Sequence, residues 1–388
     1  MISRASKPIL HVFGRMGHGG AEMRTLDLMR RIDRGFYKLD FCVLSGLPGP
    51  LDREIEGLGG RVFACPLGLG FSRRFRRLLR QHRIDVVHSH VHHFSGYIMW
   101  LAARCGVPVR VAHFRSSHDG REDTLRRRLQ RWLMCRWIDR CATSILAVSE
   151  AAMSAAWRPD WRDDPRCTVI YNGLFPEAFQ GEGDREGVRS EFGFPSGCFL
   201  AIHVGRLVPE KNHARLLGVF AELADRRPAA RLLLVGGGEP GDVVRVRMQI
   251  HHLGLDEHVA IAGDRSDVPR LVKAADVMVF PSLREGLPGA VLEACAAGTP
   301  VVASDLPAIR EIARDLTPVH CLSLFEPDAR WAETIEEAAA AGRWPSHRDA
   351  AQRRFAQSPF AIDRCAERIC QVWQGRPGAE TAEGGQYG

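Results

Sequence analysis

The sequence lacks any apolar run approaching the ~20 residues that a helix needs to span a bilayer. The apolar stretch near its N-terminus, in MISRASKPILHVF, is too short for a signal peptide, and the polar residues His18 and Glu22 follow closely. No internal repeat with a period of about 20–50 residues occurs. We therefore expect a cytoplasmic protein made of globular domains.

The sequence also lacks closely spaced cysteine pairs of the kind that bind a metal. None of the eleven cysteines forms a Cys-x-x-Cys motif, and their number is odd. Most of them, such as Cys42, Cys105 and Cys295, stand in apolar surroundings. With a cytoplasmic location, this pattern favours reduced thiols that pack as small hydrophobic groups over disulfides or a metal site.

Charge is unevenly distributed along the 388 residues, a length that fits two domains. Residues 1–150 contain 26 Lys and Arg against 13 Asp and Glu, a net charge of +13, whereas the whole chain carries +7. A basic first half beside an acidic second half predicts that the first half meets an anionic partner.

The basic residues form two clusters, at 71–83 and 121–137. Both interleave Arg with Leu, Phe and Trp at helical spacing, as a helix at an anionic membrane surface does. The alternative is a solvated helix face above a buried Leu stripe in each case. We expect an anionic membrane surface as a partner, at the inner membrane face, and no nucleic acid.

Short β-branched runs alternate with helical patterns along most of the chain, which predicts α/β architecture with doubly wound parallel sheets. The predicted strands are 8–14, 39–45, 61–67, 84–90, 107–114, 144–149 and 167–173, and then 199–206, 230–238, 259–263, 276–282 and 299–304.

A stretch rich in Gly, Pro and charge, residues 174–196, separates the two series of strands and is interpreted as a linker. We therefore predict an N-terminal domain at 1–180 and a C-terminal domain at 197–357. An amphipathic helix near 358–375 is expected to pack back on the first domain, and residues 376–388 are expected to be disordered.

The stretch REGLPGAVLEACAAGTPVVASD, residues 284–305, carries two glutamates that are eight residues apart. Pro288 suits the start of a helix and Gly298 its end, so Glu285 lies just before the helix and Glu293 inside it. The uncapped amides and positive end of the helix favour a phosphate. Two carboxylates about 10–12 Å apart can hold hydroxyls at opposite ends of a ligand whose diphosphate lies between them. A sugar nucleotide has this layout.

The segment HVGRLVPEKNH, residues 203–213, places Arg206 and Lys211 in a loop after a predicted strand that ends at Gly205. Parallel strands present their carboxyl ends at one edge of a sheet, where open α/β folds bind ligands. Cations at that edge suit a diphosphate by charge and by forked hydrogen bonding. A glycine-rich turn in the first half, with Gly19 and Gly20, likewise allows backbone to approach a ligand.

Two further motifs allow other interpretations. The motif HSHVHHF covers residues 88–94. On a strand, His88, His90 and His92 would share one face, with His93 opposite, and these histidines are interpreted either as polar residues near a ligand or as metal ligands. GGGEPG, residues 236–241, matches a dinucleotide fingerprint with Asp264 as ribose partner, which would indicate an NAD-dependent oxidoreductase. Pro240 within that fingerprint argues against it.

These segments together resemble the GT-B glycosyltransferases, specifically glycosyltransferase family 4, the group 1 transferases. Residues 94–113 are similar to the exopolysaccharide and capsule subgroup. The matching motifs include GGAE (19–22), VHSH (87–90), VSE (148–150), VIYNG (169–173), HVGRLVPEKN (203–212), LLLVGGGE (232–239) and EGLPGAVLEA (285–294).

The resemblance implies two Rossmann-like doubly wound domains facing across a cleft, the first binding the acceptor and the second a nucleotide sugar, expected to be a UDP-sugar. It implies a retaining transfer to a lipid-linked or saccharide acceptor, without a metal or other cofactor. The chain has no Asp-x-Asp motif, which agrees. An epimerase acting on a nucleotide sugar would share the fold and the donor, and remains an alternative.

The resemblance also implies roles for individual residues. Arg206 and Lys211 would hold the diphosphate, Glu285 the hydroxyls of the donor sugar, and Glu293 the ribose. His113 would contact the donor sugar, although His118 also fits the pattern, and Arg115 stands where relatives often have histidine. The remaining donor-binding residues would be Gly19, Gly20, Gly205, Gly263, Gly286, Leu287 and Pro288.

Overall fold

The structure is a computed structural model that describes residues 6–17, 19–116, 124–342 and 345–376. It divides into two units: the described residues up to Gly173 together with those from Ile362 onward, and Leu174–Ala361. Within the described ranges, no helix combines the length and the apolar character that crossing a membrane requires. All eleven cysteines are free thiols.

A seven-stranded sheet forms the centre of the first unit, and every neighbouring pair of strands is parallel. The order across the sheet is β3-β2-β1-β4-β5-β6-β7, so the direction of winding reverses between β1 and β4. The strands are β1 (Lys7–Phe13), β2 (Tyr37–Val43), β3 (Val62–Ala64), β4 (Val86–Ser89), β5 (Val109–Phe114), β6 (Ser144–Ala147) and β7 (Cys167–Val169).

The second unit has a six-stranded parallel sheet in the order β10-β9-β8-β11-β12-β13, with the reversal between β8 and β11. Its last strand was not predicted, because its four residues are all half-buried and His320 interrupts the apolar pattern. The strands are β8 (Phe199–Val204), β9 (Ala230–Val235), β10 (Val259–Gly263), β11 (Val277–Phe280), β12 (Val301–Ser304) and β13 (Val319–Leu322).

Helices connect successive strands in both units, which confirms the predicted doubly wound α/β architecture. The helices are α1 (Gly20–Arg31), α2 (Asp52–Gly57), α3 (Phe71–Gln81), α4 (Ser95–Arg104), α5 (Leu125–Cys141), α6 (Glu150–Ala156), α7 (Arg185–Glu191), α8 (His213–Arg226), α9 (Pro240–His252), α10 (Val268–Ala274), α11 (Gly289–Ala297), α12 (Pro307–Asp315), α13 (Asp328–Gly342), α14 (Pro345–Gln357) and α15 (Ile362–Trp373).

Helix α15 belongs to the first unit although it follows the second in the chain. Its apolar residues, spaced three to four apart, include Ile369 and the fully buried Trp373, and they join the core that contains Ile9 and Val86. The helix therefore covers one face of the first sheet at strands β1 and β4.

The stretch 174–196 is not a simple linker, which corrects the sequence interpretation. It contains α7, and Arg189 of this helix is buried, where its guanidinium bonds the carboxylate of Asp276 at 3.1 Å and the carbonyl of Cys198. Composition misled here because a charged residue that is paired in the interior looks like a surface residue in the sequence. Of the predicted disordered tail, 376–388, residues 377–388 lie outside the described residues, and the amide of Arg376 donates to the carbonyl of Gln371 at 3.0 Å.

Candidate functional site

The predicted donor-binding loops lie at the carboxyl edge of the second sheet, beside the reversal of strand order. The loop after β8 contains Gly205, Arg206 and Lys211, and the loop after β11 leads to Glu285. Because β8 and β11 are neighbours across the reversal, the loops after them border the position at which open α/β sheets bind ligands in a crevice. The amide of Leu283 donates to the carbonyl of Glu210 at 2.9 Å, so the two loops are joined.

Lys211 and Glu285 form an ion pair between the loops that follow β8 and β11. The Lys211 Nζ lies 2.6 Å from Glu285 Oε1, and the two side chains are only 19% and 12% exposed. The Lys211 ammonium also lies 4.7 Å from the ring centroid of Phe280, at the end of β11. The fold thus brings together a cation and a carboxylate that are 74 residues apart, and it pairs them with each other.

Arg206 behaves differently from Lys211. Its side chain is exposed, and no ion pair or side-chain hydrogen bond involves it in the part of the chain that the structure describes. A guanidinium at the mouth of this crevice is therefore available to an anionic ligand at little desolvation cost.

Three glycines allow the strand ends of β8, β9 and β10 to meet closely. Gly236 has φ +134°, and a Cβ there would lie 2.2 Å from the carbonyl oxygen of Gly205. The Gly236 amide donates to the carbonyl of Gly263 at 2.8 Å. Only glycine fits position 236, because a side chain would displace the backbone of the cationic loop.

Helix α11 begins at Gly289 and points its first turn to the same edge of the sheet. Pro288 is its N-cap residue, and no side chain caps its first amides. Leu287 and Pro288 are buried, while Gly286 and Glu293 are half-buried. Gly298 ends the helix with φ +70°, as predicted. The uncapped end carries the partial positive charge that favours an anion.

The geometry gives no support to a dinucleotide site at 236–241. Asp264, which that interpretation needs for a ribose, accepts a hydrogen bond from the Gly237 amide at 2.7 Å. Helix α9 begins at Pro240, which lacks the amide hydrogen that a pyrophosphate would bind.

The glycine-rich turn of the first unit follows β1, beside the strand reversal of that sheet. Gly19 is the N-cap of α1 and no side chain caps the helix. A Cβ at Gly17 or Gly20 would meet no protein atom within 4 Å, whereas a Cβ at Gly19 would clash with the carboxylate of Glu22. The open space at Gly17 and Gly20 leaves room for a ligand here, beside the Glu22 carboxylate, which accepts a hydrogen bond from its own amide in the first turn of the helix.

Four histidines lie on one face of the first sheet, around the predicted residue His113. His11 on β1 is in register with His88 on β4, and His88 is in register with Val111 on β5. His90 lies two residues after His88, and His113 lies two residues after Val111, so all four side chains are on the same face. His11 Nδ1 lies 3.0 Å from His90 Nε2, and His88 Nε2 lies 3.0 Å from His113 Nδ1. The indole Nε1 of Trp373 donates to His88 Nδ1 at 3.1 Å.

Burial keeps these imidazoles neutral. It lowers the pKa of His88, His90 and His113 well below the usual value, and the nearby guanidinium of Arg115 adds to the effect. Burial also lowers the pKa of His11 to about 3. Arg115 itself donates to Asn172 Oδ1 at 3.1 Å, to the Ala21 carbonyl and to Thr25.

Nitrogen atoms of His11, His88 and His90 lie within 4.8 Å of one another, a spacing that a metal ion could use. Two observations oppose such a site. Both nitrogens of His88 are already hydrogen-bonded, and the guanidinium of Arg115 would repel a divalent cation.

The predicted strand 84–90 corresponds to β4, but the extended conformation does not continue through the motif HSHVHHF beyond Ser89. β4 ends there, and His92 begins a short 3₁₀ turn with φ +49°. His92 and His93 therefore turn away from His88 and lie 3.0 Å from each other, with Nε2 of His93 at the carbonyl of Ala156. His118, the alternative to His113, lies outside the described residues.

Trp373, His11 and Asn172 were not selected from the sequence. Trp373 resembles any core residue of an amphipathic helix, and only its contact with His88 gives it a polar partner. A signal for His11 did exist, because a lone histidine in the apolar strand PILHVF must find a buried partner.

The described residues of the two basic clusters, 71–83 and 124–137, lie mainly in α3 and α5, and the two helices bury different stripes. On α3 the apolar residues Phe71, Phe75 and Leu79 are buried, which matches the alternative of a solvated basic face. On α5 the residues Leu125, Leu129 and Trp132 are 82%, 68% and 59% exposed. Their spacing of four and three residues places them on one face of the helix.

Two family comparisons agree with this geometry. Residues 19–173 match the family described as "Glycosyl transferase 4-like domain", and residues 184–351 match "Glycosyl transferases group 1". Together the two matches cover most of the chain.

Three similar proteins are named as glycosyltransferases. The Bacillus subtilis protein EpsF, named as a glycosyltransferase, is 33% identical over 88% of this chain and 90% of its own. The Staphylococcus aureus capsular polysaccharide biosynthesis glycosyltransferase CapH is 30% identical over 85% of this chain and 90% of its own. The Escherichia coli UDP-Gal:alpha-D-GlcNAc-diphosphoundecaprenol alpha-1,3-galactosyltransferase is 29% identical over 59% of this chain and 60% of its own.

Among solved structures, Anabaena HepE in complex with UDP superposes with a TM-score of 0.78. The match covers 95% of this chain and 99% of HepE at 20% identity, a level that shows the fold. The predicted fold class, two Rossmann-like domains of the GT-B type, is thereby confirmed.

Proposed function

This chain belongs to the group 1 glycosyltransferases, and we propose that it moves a sugar from a UDP-sugar to a lipid-linked saccharide acceptor with retention of anomeric configuration. It is a glycosyltransferase of polysaccharide biosynthesis. The UDP-sugar donor is supported by the UDP bound to HepE, and the lipid-linked acceptor by the diphosphoundecaprenol substrate that names the Escherichia coli relative.

The observation that carries the proposal is the Lys211–Glu285 ion pair beside exposed Arg206, at the strand reversal of the second sheet. A diphosphate entering this crevice offers Lys211 a partner with more negative charge than one carboxylate. Lys211 then turns from Glu285 to the diphosphate, and the freed carboxylate accepts hydrogen bonds from sugar hydroxyls. Arg206 joins Lys211 on the phosphate oxygens.

In the transfer step, a hydroxyl oxygen of the acceptor forms a bond to the anomeric carbon as the bond from that carbon to the phosphate oxygen breaks. The electron pair of the broken bond stays on the phosphate, and the hydroxyl proton passes to the same phosphate oxygen. Arg206 and Lys211 stabilise the charge that develops there, with help from the uncapped end of α11. This assignment leaves no step for a metal ion.

We further propose that the protein associates peripherally with an anionic membrane surface through α5. Its exposed stripe of Leu125, Leu129 and Trp132 lies on a helix that has six arginines and one aspartate. The Arg136 guanidinium lies 5.6 Å from the ring centroid of Trp132, so charge and apolar surface are contiguous. An apolar stripe flanked by arginines is typical of a helix that inserts at the level of anionic lipid headgroups.

A nucleotide-sugar panel and one matched pair of variants test the function. UDP-sugars should raise the melting temperature of the protein more than GDP-sugars or NAD. Glu285→Gln should reduce transfer to a lipid-linked saccharide about 100-fold or more while the protein stays folded, because the amide cannot replace the carboxylate. Glu257→Gln, which changes an exposed glutamate of the same unit, should leave the rate unchanged.

Full activity of Glu285→Gln would refute the proposed role of the ion pair. A donor that is converted to an epimer, with UDP released and no sugar transferred to any acceptor, would show an epimerase instead. NMR of the first-formed product reads its anomeric configuration, and inversion would refute retention.

A further inference from the structure

A row of hydrogen bonds runs from Trp373 through His88 to His113, and the chemistry of the groups fixes its direction. The indole Nε1 of Trp373 is 3.1 Å from His88 Nδ1, and His88 Nε2 is 3.0 Å from His113 Nδ1. An indole nitrogen can only donate, whereas an imidazole nitrogen donates or accepts according to its tautomer.

The proton positions follow step by step. Because Trp373 donates, His88 Nδ1 must be unprotonated, and the proton of His88 is therefore on Nε2. That N–H donates to His113, so His113 Nδ1 must also be unprotonated. His113 then carries its proton on Nε2. The reverse arrangement would place two N–H groups against each other at one of the two contacts.

We propose that Trp373 and His88 are positioning residues which hold His113 as the tautomer protonated on Nε2, so that His113 serves the reaction as a hydrogen-bond donor to a substrate oxygen. This inference rests on the proposed function and on the contact with the donor sugar that the family resemblance implies for His113. It assigns the ligand class for this atom: a hydroxyl, ring or phosphate oxygen with a free lone pair.

The state of His113 Nε2 supports this assignment. The atom is buried and has no hydrogen-bond partner in the part of the chain that the structure describes. A buried donor without a partner costs about 1–3 kcal/mol, a cost that an oxygen atom beside it removes, whether it belongs to a water or to a substrate. The residues around it line a cavity of about 10 Å³, about the space of one water molecule.

The neighbouring pair of His11 and His90 gives a contrast within the same cluster. Their nitrogens are 3.0 Å apart. The His11 ring also makes an edge contact with Trp373, but the indole N–H donates to His88, and neither His11 nor His90 accepts a hydrogen bond from an obligate donor among the described residues. Either tautomer therefore satisfies that contact. Among these four histidines, the direction of hydrogen bonding is fixed only for the pair that contains His113.

NMR of the unliganded wild-type protein tests the inference first. Nitrogen-15 shifts should show a pyrrole-type Nε2 and a pyridine-type Nδ1 for both His88 and His113, with a coupling across the hydrogen bond between Trp373 Nε1 and His88 Nδ1. A proton on Nδ1 of either histidine would overturn the proposal. The spectrum needs no donor sugar, so failure of the proposed function, seen as no nucleotide-sugar binding, is a separate result.

Variants at position 88 then separate a positioning role from a packing role. A glutamine amide can accept from Trp373 through its oxygen and donate to His113 through its nitrogen, whereas leucine can do neither. His88→Gln should keep the His113 tautomer and most of the transfer rate, and His88→Leu should lower kcat about 10-fold, equivalent to about 1.4 kcal/mol. Equal rates for the two variants would overturn the proposal.

Trp373→Phe removes the indole donor and keeps an aromatic ring. The variant should lose the single tautomer of the His88–His113 pair and lower kcat, with a smaller effect on KM. Trp161→Phe is the matched control, since its Nε1 donates to Ser154 Oγ at the same distance of 3.1 Å in the same unit. Equal loss of kcat in both variants would refute a specific role for Trp373.

Discussion

Lys211 and Glu285 neutralise each other in the structure, while Arg206 beside them has solvent as its neighbour. The two cations should therefore respond differently to substitution although both are assigned to the same diphosphate. Removing Lys211 leaves a largely buried carboxylate without its partner, and removing Arg206 leaves no buried charge.

We expect Lys211→Met to lower the free energy of unfolding by about 1–2 kcal/mol and to weaken UDP binding. Arg206→Met should leave stability within about 0.5 kcal/mol but weaken UDP binding about 10- to 100-fold, because a hydrogen bond to a charged phosphate is lost. Urea unfolding and isothermal titration with UDP measure the two quantities.

Arg247→Met, which changes an exposed arginine on α9, is the control for both measurements. Equal UDP affinity of Arg206→Met and the control would contradict the assignment of Arg206. A loss of stability in Arg206→Met as large as in Lys211→Met would show that it too has a structural partner.

At the residue scale, the sequence predicted that certain charged side chains follow strand ends at one edge of the second sheet, but not that Lys211 and Glu285 pair with each other. Arg206, Lys211 and Glu285 follow strand ends, and parallel strands bring such ends to one edge. The direct contact of Lys211 with Glu285 depends on β8 and β11 being neighbours, which strand order in the chain does not reveal. Trp373 could not be found, because its partner His88 is 285 positions away in the sequence.

At the scale of secondary-structure elements, helices α3 and α5 show what the sequence could not predict. Both have arginines and apolar residues at helical spacing, so the sequence predicts two amphipathic helices with equal weight. In α3, Phe71, Phe75 and Leu79 belong to the buried interior. In α5, Met134 and Ile138 are buried, and a second apolar stripe faces solvent. Tertiary packing decides which stripe is covered.

The exposed stripe of α5 predicts binding to anionic vesicles. The wild-type protein should sediment with vesicles that contain phosphatidylglycerol more than with pure phosphatidylcholine vesicles. Trp132→Ala should weaken this binding about 10-fold, because a large apolar side chain no longer inserts. Raising salt from about 0.1 M to about 1 M should also weaken it, as the Debye length falls from about 10 Å to about 3 Å.

Met248→Gln, which changes an exposed apolar residue of α9 in the second unit, should bind vesicles as the wild type does. Binding that is equal for neutral and anionic vesicles, or unchanged in Trp132→Ala, would refute the role of α5.

At the scale of the molecule, alternating strand and helix patterns were sufficient to predict two doubly wound units, because β-branched runs and helical periods differ clearly in sequence. The division of the chain was harder to predict. The backbone passes from one unit to the other at Gly173 and returns at Ile362, and the composition near 174–196 indicated a linker where α7 is packed. Buried Arg189 is the physical reason, since its charge is paired inside the second unit.

Both units also contain neutral buried histidines, and these predict that the whole protein loses stability in acid. The pKa of His203 is lowered to about 3 and that of His213 to about 4, mainly by burial, and the pKa values of the four clustered histidines of the first unit are lowered as well. The unfolded chain, with histidine pKa values near 6.5, therefore binds more protons than the folded chain below that pH.

The contribution of these histidines to the free energy of unfolding should be fully present above about pH 6.5. It should decrease as the pH drops toward about 4, by up to about 1.4 kcal/mol per pH unit for each histidine. Urea unfolding at a series of pH values measures this slope. His213→Gln should reduce the slope by removing one such group, whereas His252→Gln, at an exposed position of the same unit, should leave it unchanged. A free energy of unfolding that stayed constant from pH 7 to about pH 5, or that rose on acidification, would contradict burial of neutral imidazoles in both sheets.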